Sequence, residues 1–223
     1  MTKNIFIACD TNDTKKAKEI IKKTFTKKLN IGYKFGLEFL NSKQGRIFIS
    51  KMKNKIIFAD LKLHDIPNTC ASTINAIKDL KINYLTIHIS SGLDALNAVK
   101  KVSGKIKIVG VSTLTSLNNK KLKQTGHTKS IRNLVRQQAK LATKANLDAL
   151  VCSPHEVPYV KKIFKKEIIT PGIRFKGEKA KDQKRIMTPK QAFKNGATSI
   201  VIGRSITQGN IIKNIQRLIK SLS

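Results

Sequence analysis

The chain has 223 residues, of which 40% are hydrophobic, and a formal net charge of +32 from 45 lysines and arginines against 13 aspartates and glutamates. This length is sufficient for one large domain, and the hydrophobic fraction is well above that of a disordered chain. No stretch approaches the roughly 18 to 20 consecutive apolar residues of a membrane span, and residues 1–13 lack the apolar segment of a signal peptide. We therefore expect a soluble, cytoplasmic protein with no membrane partner.

The positive charge is dispersed along the chain. Only 7 of the basic residues are arginine, and aromatic residues make up 5% of the sequence, with no tryptophan. Surfaces that bind nucleic acids usually gather basic residues, arginine above all, and stacking aromatic side chains in one patch. The composition therefore argues against a nucleic acid partner, whereas the positive field favours an anionic small-molecule ligand.

Cysteine and histidine positions give no sign of a metal site. Cys9, Cys70 and Cys152 are far apart and form no C-x-x-C pair. The histidines are isolated and show no H-E-x-x-H or similar ligand spacing; they are His64, His88, His127 and His155. We predict no disulfide framework, no metal and a reducing compartment.

Short apolar or β-branched segments alternate with helical segments along the chain. The first unit combines a strand over Asn4–Asp10 with a lysine-rich amphipathic helix over Thr14–Leu29. Further strands are predicted at Ile31–Leu37, Lys55–Leu61, Tyr84–Ile89, Lys105–Ser112, Ala149–Ser153, Ile168–Ile173 and Thr198–Gly203. The helices that follow them are predicted at Glu38–Lys53, Pro67–Leu80, Leu93–Val102, Ile131–Ala145, Glu156–Phe164, Pro189–Asn195 and Asn210–Leu222. Each strand is thus followed by a helix.

Eight βα units predict an α/β fold, a (β/α)8 TIM barrel that forms a single domain over residues 1–223. Near-continuous apolar strands such as Ser199–Ile202 are typical of a parallel sheet covered by helices, for which a doubly wound sheet is the alternative. Pro67 and Pro189 stand where a first helical turn would begin. No linker or low-complexity tract divides the chain.

Polar residues at the carboxyl ends of the strands are the first candidates for function, because the active site of such a barrel lies at that end. Asp60 and Lys62 are two residues apart on one strand, so both side chains are expected on the same face. Lys34 on the neighbouring strand could complete an alternating array of charges with Asp60 and Asp65. The alternative is a salt-bridge cluster that only caps the barrel.

Two glycine-containing turns follow the seventh and eighth predicted strands. They are Pro-Gly-Ile-Arg at 171–174 and Gly-Arg at 203–204. Barrel enzymes commonly bind phosphate there, with backbone N–H groups and a cation. A phosphorylated ligand is therefore predicted, the alternative being tight turns whose arginines face solvent. No dinucleotide or P-loop motif follows the first strand.

The segment Asp60–Thr69, with the sequence DLKLHDIPNT, resembles the signature of the orotidine 5'-phosphate decarboxylase family. Other matching segments follow in the expected order over nearly the whole chain: Asp10, Tyr33–Gly36, Leu114–Ser116, Val151–Pro154, Thr170–Arg174, Asp182–Arg185 and Val201–Arg204. The D-x-K-x-x-D part is shared with sugar-phosphate decarboxylases and aldolases of the same superfamily. The extension through Ile66–Thr69 is similar to the orotidylate enzymes specifically.

The resemblance implies a carboxy-lyase that converts orotidine 5'-monophosphate to uridine 5'-monophosphate and CO2, the last step of de novo pyrimidine biosynthesis. It also implies a reaction without metal or cofactor. Lys62 would protonate the carbanion at C6 of the pyrimidine, next to Asp60. Lys34 and Asp65 would hold this charged array in place.

Substrate contacts and a partner are also implied by the resemblance. Asp10 and Lys34 would contact the ribose, and Thr115 and Gln183 the pyrimidine. Arg174, Gly203 and Arg204 would bind the phosphate, and the loop Phe175–Lys184 would close over it. The protein would be a homodimer in which Asp65 and Thr69 cross the interface to complete each site.

Two other functions are the alternatives. A sugar-phosphate decarboxylase or aldolase of the same superfamily would need Mg²⁺ and further acidic ligands near the strand ends. A basic RNA-binding protein would bind nucleic acid with a steep salt dependence and would show no turnover.

Overall fold

Eight parallel strands form a closed barrel in a computed structural model that describes residues 3–178 and 186–222. Each strand pairs with the next along the chain, and the last pairs with the first. The strands are β1 Asn4–Ala8, β2 Asn30–Gly36, β3 Ile56–Leu63, β4 Tyr84–His88, β5 Lys107–Val111, β6 Ala149–Val151, β7 Glu167–Thr170 and β8 Ser199–Ile202. The predicted (β/α)8 barrel is confirmed, and the open doubly wound sheet is not observed.

The helices of the described residues lie in the connections between strands and after β8. They are α1 Thr14–Lys23, α2 Leu37–Leu40, α3 Gly45–Ser50, α4 Pro67–Ala76, α5 Gly92–Val102, α6 Asn119–Lys123, α7 Ile131–Lys144, α8 Val157–Val160, α9 Pro189–Lys194, α10 Arg204–Thr207 and α11 Ile211–Leu222. The short helices α6 and α10 were not predicted. In this described part of the chain, no helix is long and apolar enough to cross a bilayer.

The helix predicted over Glu38–Lys53 is wrong, because the chain breaks it into α2 and α3. A Cβ atom on Gly45 would lie 1.8 Å from the carbonyl oxygen of Phe39. The backbone N–H of Gly45 donates to the carbonyl of Ser42 at 3.1 Å, so the chain turns sharply between the two helices. Only glycine permits this close approach of two backbone segments.

Two layers of core follow from the alternation of side chains along the strands. Outward-facing residues pack against the helices in the larger layer. The smaller layer fills the barrel interior and consists of Phe6, Ala8, Phe58, Tyr84, Val109, Ala149, Ile169 and Val201. The ring of Phe6 lies 5.0 Å from that of Phe58 and 5.1 Å from that of Tyr84, both in edge-to-face geometry. The barrel is therefore filled by side chains and is not a channel.

A polar cluster lies at the amino-terminal end of the barrel. Glu167 accepts hydrogen bonds from the Ser199 hydroxyl at 2.6 Å and from the Tyr84 hydroxyl at 3.2 Å. Lys107 forms an ion pair with the same carboxylate at 3.3 Å. A cavity of about 590 Å³ opens at this end, but the ends of strands that carry function in such barrels are the opposite ones.

Replacing Phe6 with alanine tests the importance of the inner layer. Because Phe6 is fully buried, we expect Phe6→Ala to lower the free energy of unfolding by about 3–5 kcal/mol in urea titrations. Phe25→Ala is the matched control, since Phe25 is 64% exposed and should lose less than about 1 kcal/mol. Equal losses in the two variants would contradict the assigned core.

Candidate active site

A cavity of about 690 Å³ opens at the carboxyl ends of the strands. Most of the predicted site residues line it, from strands on all sides of the barrel: Asp10, Lys34, Asp60, Lys62, Thr115, Arg174, Gly203 and Arg204. Lys16 and Glu38 also line this cavity and were not predicted. Nothing in the sequence distinguishes Lys16 from the many other lysines of the surface helices.

The centre of the site is a chain of alternating charges. Oδ2 of Asp60 lies 2.8 Å from Nζ of Lys62 and 3.2 Å from Nζ of Lys34. Lys34 in turn lies 3.1 Å from Oδ1 of Asp10. Asp60 and Lys34 are largely buried, whereas Asp10 is exposed and Lys62 is about one-third exposed. The array therefore presents the Lys62 ammonium to the cavity and keeps its counterion inside the protein.

Charge pairing keeps the buried members of this array ionised. Burial raises the pKa of Asp60, but the charges and hydrogen bonds of Lys34 and Lys62 outweigh burial and hold that pKa below its ordinary value. Burial lowers the pKa of Lys34, but Asp60 and Asp10 outweigh it and raise that pKa above its ordinary value. The alternating charges therefore keep the Asp60 carboxylate and the Lys34 ammonium ionised.

An irregular backbone places Lys62. Its φ angle is 48°, in the left-handed region that residues with a Cβ rarely adopt. The register between β3 and β4 shifts between Ala59 and Leu63, as at a β-bulge. The contact predicted between Asp60 and Lys62 is present, but regular strand alternation does not produce it.

Asp65 and Thr69 lie outside this array in the single chain. Both are exposed, at the start of the connection from β3 and in α4 respectively. Oδ1 of Asp65 accepts a hydrogen bond from the N–H of Ile66 at 2.7 Å. Within the described ranges of one chain, Asp65 forms no ion pair with Lys34, so the spacing-based array of Lys34, Asp60 and Asp65 is not formed within a single chain.

The two turns predicted to hold phosphate both line the cavity. Gly172 has a φ of 77°, and Arg174 is buried with its Nη1 donating to the carbonyl of Ile173 at 2.8 Å. Two backbone hydrogen bonds join this turn to Met187, which comes after residues 179–185 in the sequence. Gln183, predicted to approach the pyrimidine, lies outside the described residues.

The beginning of the loop after β7 is tied to the last two helices. Glu178 accepts hydrogen bonds from the backbone of Phe175 at 3.2 Å and from the Ser205 hydroxyl. Arg217 of α11 donates to the Glu178 carboxylate at 3.4 Å, and its guanidinium lies 4.3 Å from the ring centre of Phe175. These contacts fix the described part of the predicted closing loop, residues 175–178.

Two further titratable side chains lie close to the charged array, His88 at the end of β4 and Cys9 after β1. Burial, the His64 ring and Lys62 lower the pKa of His88, which favours the neutral imidazole. Burial raises the pKa of Cys9 to about 12, so it is a protonated, buried thiol. Among the described residues, no group of three or more His, Cys, Asp or Glu side chains could hold a metal ion.

Comparisons with known proteins give a consistent result. The sequence model of the orotidine 5'-phosphate decarboxylase / HUMPS family matches residues 3–213. Orotidine 5'-phosphate decarboxylase of Wolbachia sp. subsp. Brugia malayi is 44% identical, over 98% of this chain and 99% of that protein. The protein of the same name from Prochlorococcus marinus strain MIT 9312 is 41% identical, over 92% of this chain and 88% of that protein. A crystal structure of orotidine 5'-phosphate decarboxylase from Lactobacillus acidophilus superposes with a TM-score of 0.84 at 28% identity, covering 99% of both chains.

The ionisation of Asp60 predicts a specific pH dependence of stability. Its folded-state pKa is below the unfolded value of about 3.9, so its contribution is complete above that pH and is lost as the pH falls through the folded-state pKa. Asp60→Asn lacks this contribution at every pH. In urea titrations we expect the unsubstituted protein to be more stable than Asp60→Asn near pH 6, by a difference that shrinks below about pH 4.

Glu19→Gln is the control for this experiment, because Glu19 forms an exposed ion pair with Lys23. Its effect should stay below about 1 kcal/mol at all pH values. A stability difference between Asp60→Asn and the unsubstituted protein that does not change from pH 6 to pH 3 would contradict the assigned ionisation.

Proposed function

Because the chain belongs to the orotidine 5'-phosphate decarboxylase / HUMPS family, we propose that it converts orotidine 5'-monophosphate to uridine 5'-monophosphate and CO2 without metal or cofactor. The family places it among the carboxy-lyases of pyrimidine biosynthesis. The observation that carries the specific reaction is the Lys62 ammonium, held 2.8 Å from the buried Asp60 carboxylate at the cavity.

The chemistry of the reaction requires such a cation. When the bond from C6 to the carboxyl group breaks, its electron pair stays on C6 of the pyrimidine. The adjacent ammonium of Lys62 stabilises this negative charge as it develops and then transfers a proton to C6, and solvent later returns a proton to Lys62. Because Asp60 already holds Lys62 in place, little reorganisation is needed during the reaction.

The rest of the cavity would bind the nucleotide. Asp10 and Lys34, which contact each other at 3.1 Å, would bind the ribose hydroxyls, and Thr115 and Gln183 would contact the pyrimidine. The phosphate would lie at Arg174, Gly203 and Arg204, where the segments that follow β7 and β8 both line the cavity. Binding the remote phosphate helps to orient the reacting ring.

We also propose that the active form is a homodimer in which Asp65 and Thr69 enter the partner's site. Two observations support it: Asp65 is exposed and outside the array of its own chain, and the neighbouring Ile66 side chain is 66% exposed. Such a dimer would also remove the exposed Ile66 side chain from water, which is favourable.

The alternative functions receive less support from the site. In a Mg²⁺-dependent sugar-phosphate enzyme the carboxylates at the strand ends would have to face a cation, but Asp10 and Asp60 already face Lys34. A nucleic acid partner is not proposed, since the lysines are dispersed along the chain. We place the protein in the cytoplasm, consistent with Cys9, Cys70 and Cys152 all being buried, free thiols.

The assay for this function follows the ultraviolet change as orotidine 5'-monophosphate is decarboxylated in excess chelator. We expect turnover by the unsubstituted protein and a loss of at least about 1,000-fold in kcat for Lys62→Ala, because the cation and the proton donor are removed together. Lys107→Ala is the matched control, as Lys107 pairs with Glu167 at the other end of the barrel. No turnover, or turnover that the chelator abolishes, would overturn the proposal.

Mixing two inactive variants tests the shared site. Consider a dimer of one Lys62→Ala chain and one Asp65→Ala chain in which each chain supplies Asp65 to its partner's site. One site then combines both substitutions, and the other has both native residues. If Asp65 acts across the interface, refolding an equal mixture should restore about a quarter of the unsubstituted activity. If Asp65 acts within its own chain, or the protein is monomeric, the mixture should stay as inactive as its components.

A further inference from the structure

Thr86 of β4 contacts both members of the Asp60–Lys62 pair. Its side chain is 1% exposed. Its Oγ1 accepts a hydrogen bond from the backbone N–H of Lys62 at 2.8 Å and donates one to Oδ1 of Asp60 at 3.1 Å. A single hydroxyl therefore connects the backbone of one charged residue to the side chain of the other.

The backbone of Lys62 needs such a contact. Ala59 pairs with Leu85 and Leu63 pairs with Ile87, so β3 is two residues longer than β4 between these points. Lys62 lies within this irregular stretch at a φ of 48°, and its N–H donates to the Thr86 hydroxyl. Residues with a Cβ adopt this conformation only where their surroundings hold it.

The Asp60 carboxylate is also oriented by this contact. Its Oδ2 forms ion pairs with both lysines, with Nζ of Lys62 at 2.8 Å and with Nζ of Lys34 at 3.2 Å. Its Oδ1 accepts a hydrogen bond from the Thr86 hydroxyl. Because the two oxygens have different partners, rotation of the carboxylate would break contacts at both, and the oxygen that faces the lysines is fixed.

We propose that Thr86 is a positioning residue for the decarboxylation, which holds the Lys62 backbone and the Asp60 carboxylate so that the Lys62 ammonium points at the reacting carbon. The inference rests on the proposed function. Thr86 is not among the described residues that line the cavity, so it acts through Lys62 and Asp60 and not on the substrate. Loss of its hydroxyl should therefore affect the chemical step more than substrate binding.

Replacing Thr86 by residues with and without a hydroxyl group tests this inference. Thr86→Val keeps the shape, Thr86→Ala removes the hydroxyl without any risk of overpacking, and Thr86→Ser keeps the hydroxyl. For the first two we expect kcat to fall about 10- to 100-fold while KM and the affinity for uridine 5'-monophosphate change less than about threefold. Thr86→Ser should stay within about threefold of the unsubstituted kcat.

Thr24→Val is the matched control for a general loss of stability. Thr24 is fully buried, and its hydroxyl bonds to the carbonyl of Ile20 at 2.7 Å and to the Tyr33 hydroxyl at 3.1 Å. Thr24→Val should therefore lose two buried hydrogen bonds, as Thr86→Val does, yet keep its kcat. Thermal unfolding of each variant verifies that the assays use folded protein.

The outcomes separate the inference from the function on which it rests. Absence of turnover in the unsubstituted protein would overturn the proposed function and the inference with it. Turnover in the unsubstituted protein, with kcat unchanged in Thr86→Val and Thr86→Ala, would overturn the inference alone. A loss in Thr86→Ser as large as that in Thr86→Ala would also overturn it, because the hydroxyl is retained.

Discussion

At the mouth of the barrel, two lysine ammonium groups share one oxygen of a largely buried carboxylate, Oδ2 of Asp60. Removing these groups from water is unfavourable, and the two cations repel each other, so the arrangement is stable only while Asp60 is ionised between them. Asp10 provides a second carboxylate partner for Lys34, and the Thr86 hydroxyl donates a hydrogen bond to Oδ1 of Asp60. The positions of the charged side chains in the candidate site therefore follow from the need to give the Asp60 carboxylate its ion-pair and hydrogen-bond partners.

The barrel provides the frame for this arrangement and divides the molecule into two ends. Inward-facing rings such as Phe6 and Phe58 fill the interior, so a packed apolar layer lies beneath the charged array. At the amino-terminal end, Glu167 and its partners satisfy one another's hydrogen bonds and charges. The carboxyl-terminal end holds the cavity whose lining combines lysine and arginine side chains, which suits a phosphorylated, anionic substrate.

The sequence was sufficient to predict the features that depend on local patterns. The barrel could be predicted from the apolar strand segments and from the prolines at the starts of α4 and α9. The polar residues at the strand ends predicted a set of site residues, most of which line the cavity. Features that depend on tertiary contacts were missed. The break at Gly45 arises from a close approach to Phe39, and the contacts of Thr86 with Lys62 and Asp60 form where the register between two strands shifts. A threonine inside an apolar strand has the pattern of any buried β-branched residue.

We infer that the charge array around Asp60 performs the decarboxylation. The most direct test of this inference is the rate of CO2 release from carboxyl-labelled orotidine 5'-monophosphate in excess chelator, for the unsubstituted protein and for Asp60→Asn. We expect rapid release by the unsubstituted protein and a rate at least about 1,000-fold lower for Asp60→Asn, because Lys62 loses the charged partner that orients it. Similar rates for the two proteins, or no release by either, would show that the Asp60 array does not perform this reaction.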